Sequence, residues 1–404
     1  MIGSYWIWFY WVTGLLLAAV WTIPVIRAAI YFRHVADLTL LEHEPPQEAK
    51  LPPLTIVVPA RNEAETIEPA MRSLFRLNYP DYHIMAVNDR STDATGEILE
   101  KLAASLESGG RLRVMHVHKL PAGWLGKTHA MWMGAQQSRL NGAAPTSEEA
   151  SGDWILFTDA DCIFHPSCLR RALFYAVRTG TEHLALMPTG IMHSLSERMM
   201  MSFPQVAGNL AMRPWKVRDP QARDFVGVGA FNLISRAAYN AVGTYQKMRM
   251  AVVDDLKLGE AVKQAGLRQD IVYGKDLVRV RWLIGAWGIV RNLEKNLFAL
   301  FQFRMSMATA ACLAVLLICV WPFVGIFLAP GWAKAPFAMA ILMVLGMHFI
   351  TARVSTISPL IFLTFPLAAL VFVTAVLRSA YVALRDGAIT WRGTKYQLAE
   401  LKKK

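Results

Sequence analysis

Residues 5–31 read YWIWFYWVTGLLLAAVWTIPVIRAAIY and contain one charge, Arg27. At 1.5 Å per residue this run crosses roughly 30 Å of hydrocarbon as a helix. It is too long for a cleaved signal peptide, has no basic segment before it, and carries the interfacial aromatics Trp6, Trp8, Tyr10 and Trp11. Arg27 and Arg33 close it, so the excess of basic residues places the central part of the chain in the cytosol. Further apolar stretches cover 305–328, 335–350 and 359–377. The second is short, and Pro359 and Pro366 fall in the third, so one of these two is expected to be broken or re-entrant. That arrangement also keeps the basic tail, with Arg378, Arg385, Arg392, Lys395 and Lys402 to Lys404, on the cytosolic side.

The 404-residue chain is 54% hydrophobic and 18% charged, against about 25% charged in an ordinary soluble domain. This excludes a disordered chain. A net charge of +12, from 42 basic and 30 acidic residues, suits anionic lipid or nucleotide phosphates. Cys162, Cys168, Cys312 and Cys319 lack the spacing of a zinc site and the density of a disulfide scaffold.

The sequence divides into a membrane helix (1–33), a Pro-rich linker (34–53), a catalytic domain (54–285), an interfacial amphipathic helix (286–304), membrane segments (305–378) and a basic tail (379–404). Within the catalytic part, compact apolar runs at 54–60, 83–88, 113–117 and 154–158 read as strands. Helices are expected between them at about 62–77, 93–106 and 166–177, the first opened by Asn62 with Glu65. Alternating strands and helices imply an α/β fold with a mostly parallel, Rossmann-like sheet, whose ligands bind at the carboxyl ends of the strands. Asp89 directly follows the second strand, and Asp159 and Asp161 come directly after the fourth. Two carboxylates one residue apart suit one hard cation, Mg²⁺ or Mn²⁺, completed by substrate phosphates. Taken alone, an Asp-x-Asp is as readily a solvated turn.

Four motifs occur in order: VVPARNEAETI, NDRSTDAT, TDAD and VVDDLKLGEAVKQAG. Together they resemble the signatures of family 2 glycosyltransferases of the GT-A fold. With the flanking membrane segments and the tail ITWRGTKYQL, the chain is similar to ceramide glucosyltransferases and to bacterial enzymes that glycosylate hopanoids and carotenoids. The resemblance implies an inverting hexosyltransferase that uses a nucleotide-sugar, UDP-hexose by expectation, and a membrane-lipid hydroxyl at the cytosolic leaflet of a bacterial-type inner membrane. A nucleic-acid partner is not implied. Pro59, Ala60, Arg61 and Glu63 would line the nucleotide pocket, Asp89 would bond the uracil, and Asp159 and Asp161 would hold the metal, chiefly through Asp161. Lys127 in GWLGKTHA would supply fixed positive charge for the diphosphate.

The family's general base comes from a Glu-Asp pair that opens a helix. Here the letters are Asp254-Asp255, and aligning Leu258 makes Asp255 the base; a slip of one residue would make it Asp254. In VRVRW, Arg281 and Trp282 match the family's Gln/Arg-x-x-Arg-Trp motif while Val278 departs from it, so Arg281 would stabilise the leaving diphosphate and Trp282 would stack on the acceptor. GVGAFN (227–232) resembles the acceptor loop. His116, His118 and His165 read as ordinary surface or strand-edge histidines, and the methionine-rich stretch 191–212 as core or lipid-pocket lining. A polyprenyl-phosphate sugar transferase is the enzyme alternative, and a sugar-nucleotide-binding membrane scaffold the non-enzyme one. A processive synthase would need more membrane helices, and a nucleotidyltransferase would need a glycine-rich loop where PARNEAE stands.

Overall fold

The computed structural model describes residues 2–137, 153–282, 285, 297–391 and 394–401. It separates into two compact units. One holds Val35–Ile191 and Pro214–Arg281; the other holds Met1–His34, Met192–Arg213 and Trp282–Lys404.

The first unit is built on a seven-stranded sheet. Its strands are β1 (Leu54–Ala60), β2 (Tyr82–Asp89), β3 (Leu112–Val117), β4 (Trp154–Phe157), β6 (His183–Met187), β8 (Asn232–Ser235) and β9 (Gln269–Tyr273), and they lie side by side in the order β3-β2-β1-β4-β8-β6-β9. A second sheet joins β5 (Cys162–Phe164), β7 (Thr189–Gly190) and β10 (Val278–Val280). β1 runs parallel to β2 and β4, and β2 parallel to β3. The large sheet departs from all-parallel at β8, which is antiparallel to β4 and β6. This reversal matters for the site: Asn232 pairs with Phe157, so the 227–231 loop enters β8 at the edge where β4 ends.

β1 is a continuous apolar run because both faces of the sheet are covered. Ile56 and Val58 pack on one face with Met71, Leu99 and Leu173. Val57 packs on the other with Met131, Phe157, Tyr245 and Leu258. The helices that cover the sheet are α2 (Ile67–Phe75), α3 (Thr95–Ala103), α4 (Gly126–Gln137), α5 (Cys168–Thr179), the short α7 (Arg236–Ala241) and α8 (Thr244–Lys247), and α9 (Asp254–Gln264). The expected helix start at Asn62 is not where α2 begins. Asn62 has φ +54°, and its side chain accepts from the Thr92 N–H rather than capping a helix.

Among the described residues of the second unit, four helices are long and apolar enough to cross a membrane: Tyr5–His34, Met305–Leu328, Gly331–Ala352 and Pro359–Asp386. The first contains α1 (Ile2–Tyr31), which packs against the third. Pro322 cannot donate to the carbonyl four residues earlier, Ile318, and the turn there widens to a π-helix. Buried Trp21 supplies the missing donor, its Nε1 lying 2.9 Å from the Ile318 oxygen. The stretch that carries Pro359 and Pro366 is a 3-10 segment, Pro359–Thr364, followed by an α-helix, Phe365–Asp386. Each proline sits in the first turn of its helical segment, where its missing N–H costs no bond. α6 (Leu195–Ala211) also belongs to this unit, opened by a Ser194–Glu197 capping box, with Met199, Met200 and Met201 buried. Asn209 on α6 donates to the Thr351 hydroxyl at 3.2 Å. Strands β11 (Ala388–Trp391) and β12 (Thr394–Gln397) form an antiparallel hairpin. Most of the expected interfacial helix, together with Arg392 and Lys402 to Lys404, lies outside the described residues.

Candidate active site

The chain leaves β1 for β2 and β3 on one side and places β4 on the other, so the crevice at the carboxyl ends of β1 and β4 is the topological switch point. Pro59 and Ala60 end β1, and Arg61 leads from them into this crevice. Glu63 is partly turned inward: its N–H donates to Thr95 Oγ1 at 2.8 Å, and its carboxylate accepts from the Thr66 hydroxyl at 3.0 Å. Asp93 ties the same loops together, accepting from the Ala64 and Thr95 N–H groups and the Thr95 hydroxyl. Burial works against its ionised form, but these bonds outweigh it and hold the carboxyl below its ordinary range.

Asp89, at the end of β2, is not an open carboxylate. Arg90 forks onto it with Nε 2.7 Å from Oδ1 and Nη2 2.9 Å from Oδ2. Arg61 Nη1 approaches to 3.9 Å.

Lys127, in the first turn of α4, has the opposite surroundings. Its ammonium lies 2.8 Å from Asp159 Oδ1 and 3.4 Å from Asp254 Oδ2. Burial disfavours its charge, yet Asp159, Asp254 and Asp255 outweigh that and hold its pKa well above the ordinary lysine value. Burial, opposed by Lys127 and reinforced by Asp255 and Asp159, pushes the Asp254 carboxyl up to about 7.

Asp254 and Asp255 open α9, where the helix dipole favours negative charge. Asp254 faces inward and is buried, while Asp255 is partly exposed. Asp255 Oδ2 accepts from the Gly229 N–H at 2.9 Å and Oδ1 from the Leu256 N–H at 2.8 Å, so two amides fix the carboxylate's direction. Burial raises its pKa against Lys127 and these two amides. The loop reaches this position because Gly227 has no side chain; a Cβ there would overlap the Asp255 carbonyl.

Asp161 lies at the start of β5. In the antiparallel pairing of β10 with β5, Val280 faces Cys162; Arg281 follows the one and Asp161 precedes the other. Val278, at the position where the motif departs, is a fully buried core residue of β10. Trp282 is 42% exposed and opens the last segment of the second unit. Among the described residues no group of three His, Cys, Asp or Glu side chains converges as a ready-made metal cage. The Asp159 and Asp161 carboxylates are hard oxygen donors, which fits Mg²⁺ or Mn²⁺ with the remaining ligands drawn from substrate phosphates and water.

The structure thus brings together Lys127, Asp159, Asp254 and Asp255 on one side and Arg61 and Asp89 on the other. Sequence reasoning missed Arg90 and Asp93, both visible as letters in NDRSTD, and the role of the Gly229 amide, which no letter reports.

The family model for glycosyl transferase family 2 matches residues 55–243. A 4,4'-diaponeurosporenoate glycosyltransferase of Staphylococcus aureus strain MRSA252 is 22% identical over 86% of this chain and 89% of its own. Its counterpart from strain USA300 is 21% identical over the same shares. A mannosyltransferase from Pyrobaculum calidifontis, solved with GDP-Man and Mn²⁺, shares the fold with a TM-score of 0.50 at 16% identity, over 93% of this chain and 99% of that one. The ordered motifs, the sheet with its carboxylates at the switch point and the family match agree: residues 55–243 carry a glycosyl transferase family 2 domain, built on the GT-A fold.

Proposed function

We propose that this protein transfers a hexose from UDP-hexose to a hydroxyl of a membrane lipid, with inversion, at the cytosolic leaflet of a bacterial-type inner membrane. The observation that carries this reading is the division of the Asp254–Asp255 pair: Asp254 is buried against Lys127, while Asp255 is partly exposed and aimed by the Gly229 amide. A partly desolvated, oriented carboxylate is what a hydroxyl acceptor requires, whereas a phosphate acceptor needs no strong base.

Asp255 takes the hydroxyl proton as the oxygen forms its bond to the anomeric carbon. The bond from that carbon to the diphosphate breaks in the same displacement, which inverts the configuration. Arg281 supplies positive charge for the leaving diphosphate and Lys127 adds fixed charge beside Asp159. Asp159 and Asp161 would hold Mg²⁺ or Mn²⁺, which when bound neutralises diphosphate charge. Arg61, Glu63 and the Asp89 end of β2 receive the nucleoside, and Trp282 stacks on the acceptor. The four long apolar helices among the described residues support a membrane acceptor. Arg27 and Arg33 near the end of the first span support the cytosolic orientation.

The test is incubation of the full chain in proteoliposomes with radiolabelled UDP-hexose, Mn²⁺ and bacterial lipid extract, followed by mass spectrometry of the lipids. The expected product is a hexosyl lipid stable to mild acid. Label appearing only in an acid-labile polyprenyl phosphate, or in a water-soluble polymer, would contradict the proposal.

A further inference from the structure

Arg90 and Asn62 lie just beyond the ends of adjacent parallel strands, and both hold left-handed backbone, φ +55° and +54°. Asn tolerates that region because its short side chain bonds locally, as it does here to Thr92. A long side chain such as arginine gains nothing from it, and persists there only where the surroundings fix it. The two-point bond to Asp89 fixes Arg90. α4 closes on the pair so tightly that a Cβ at Gly126 would collide with both Asp89 Oδ2 and Arg90 Nη2.

The arrangement decides which groups a ligand meets. The Asp89 side chain is 5% exposed, while those of Arg61 and Arg90 are 16% and 18% exposed. At the β2 end of the crevice the two arginine side chains are therefore more accessible than the carboxylate they hold. Guanidinium offers only donors. Uracil and guanine present a carbonyl oxygen at the ring position where cytosine and adenine carry an amino group, and donor facing donor leaves both unpaired.

We propose that Arg90, positioned by Asp89, is the residue that selects the nucleobase of the donor, favouring a keto base over an amino base. This inference rests on the nucleotide-sugar reading of the site and refines it. Asp89 acts through Arg90 and is a positioning residue.

The experiment is calorimetric titration of UDP, CDP, GDP and ADP into the detergent-solubilised full chain with Mn²⁺, for the natural protein, Arg90→Gly and Asp89→Asn. Glycine suits the left-handed backbone, but Arg90→Gly also removes both bonds that Arg90 gives the buried Asp89, so the variant should melt earlier than the natural protein and is titrated well below its transition. The natural protein should bind UDP about tenfold or more tighter than CDP, a ratio in the range that one well-formed arginine–base contact supplies. Arg90→Gly should level the two to within about threefold by weakening UDP. Asp89→Asn should reduce the ratio partway, since an amide holds the guanidinium less firmly. Retention of the full UDP/CDP ratio in folded Arg90→Gly would overturn the inference while leaving the nucleotide-sugar reading intact. Failure of all four nucleotides to bind the natural protein would overturn both.

Discussion

Two guanidinium groups converge on Asp89, whereas a single ammonium, Lys127, serves Asp159 and Asp254 directly and has Asp255 close by. Gly126 and Lys127, neighbours at the start of α4, touch one region each. At the β2 end positive charge is in excess and the carboxylate is closed off. At the β4 end three carboxylates lie around Lys127, and burial, reinforced by Asp255 and Asp159, raises the Asp254 carboxyl to about 7. The first arrangement is finished before any ligand arrives and suits recognition. The second lacks positive charge until a cation and a donor enter, and suits chemistry.

Removing Lys127 should break the second region most severely. Lys127→Met leaves the buried Asp254 without its partner, and breaking a buried pair in this way costs about 3–5 kcal/mol. The expected result is a melting temperature lowered by several degrees together with loss of turnover, read by thermal unfolding and by the lipid glycosylation assay. Asp161→Ala should be the purer functional lesion. Turnover should disappear, as it should in EDTA, while melting stays near the natural value because Asp161 is partly exposed and outside the Lys127 ion pairs. Full activity in EDTA would remove the metal from the account.

A smaller effect sharpens the contrast through pH. An aspartate raised from about 4 in the unfolded chain to about 7 in the fold keeps a proton that the unfolded chain has released. Its contribution to stability is therefore complete below about pH 4 and is lost as pH rises through about 7. The donor-free protein should lose several degrees of melting temperature between pH 5 and pH 8, and Asp254→Asn should lose less. Equal losses in the two proteins would show that Asp254 is ionised throughout.

Much of this architecture is legible in the letters. LTIVVPA is a strand wherever both faces of a sheet are covered, and β1 occupies the expected residues. Asp89, Asp159 and Asp255 can be placed because each adjoins an element whose pattern is unambiguous. The start of α2 is misleading in sequence because Asn62 caps Thr92, thirty positions along the chain, and local spacing carries no trace of that partner. The direction of β8 is invisible because a buried apolar run looks the same in either direction, yet that reversal brings Gly229 to Asp255. Pro359 and Pro366 look like interruptions because the sequence does not say that each opens a helical turn. Arg90 is in plain view, but its pairing depends on a backbone angle that composition does not report.

The central claim is that Asp255, and not Asp254, removes the proton of the acceptor hydroxyl. Asp255→Asn is nearly isosteric, so turnover and UDP affinity should be measured side by side for it and for Asp254→Asn. The account predicts a fall in turnover of about 10² or more for Asp255→Asn with UDP affinity within about threefold of the natural protein. Asp254→Asn should retain measurably more turnover. Full turnover in Asp255→Asn, or a loss confined to Asp254→Asn, would contradict it.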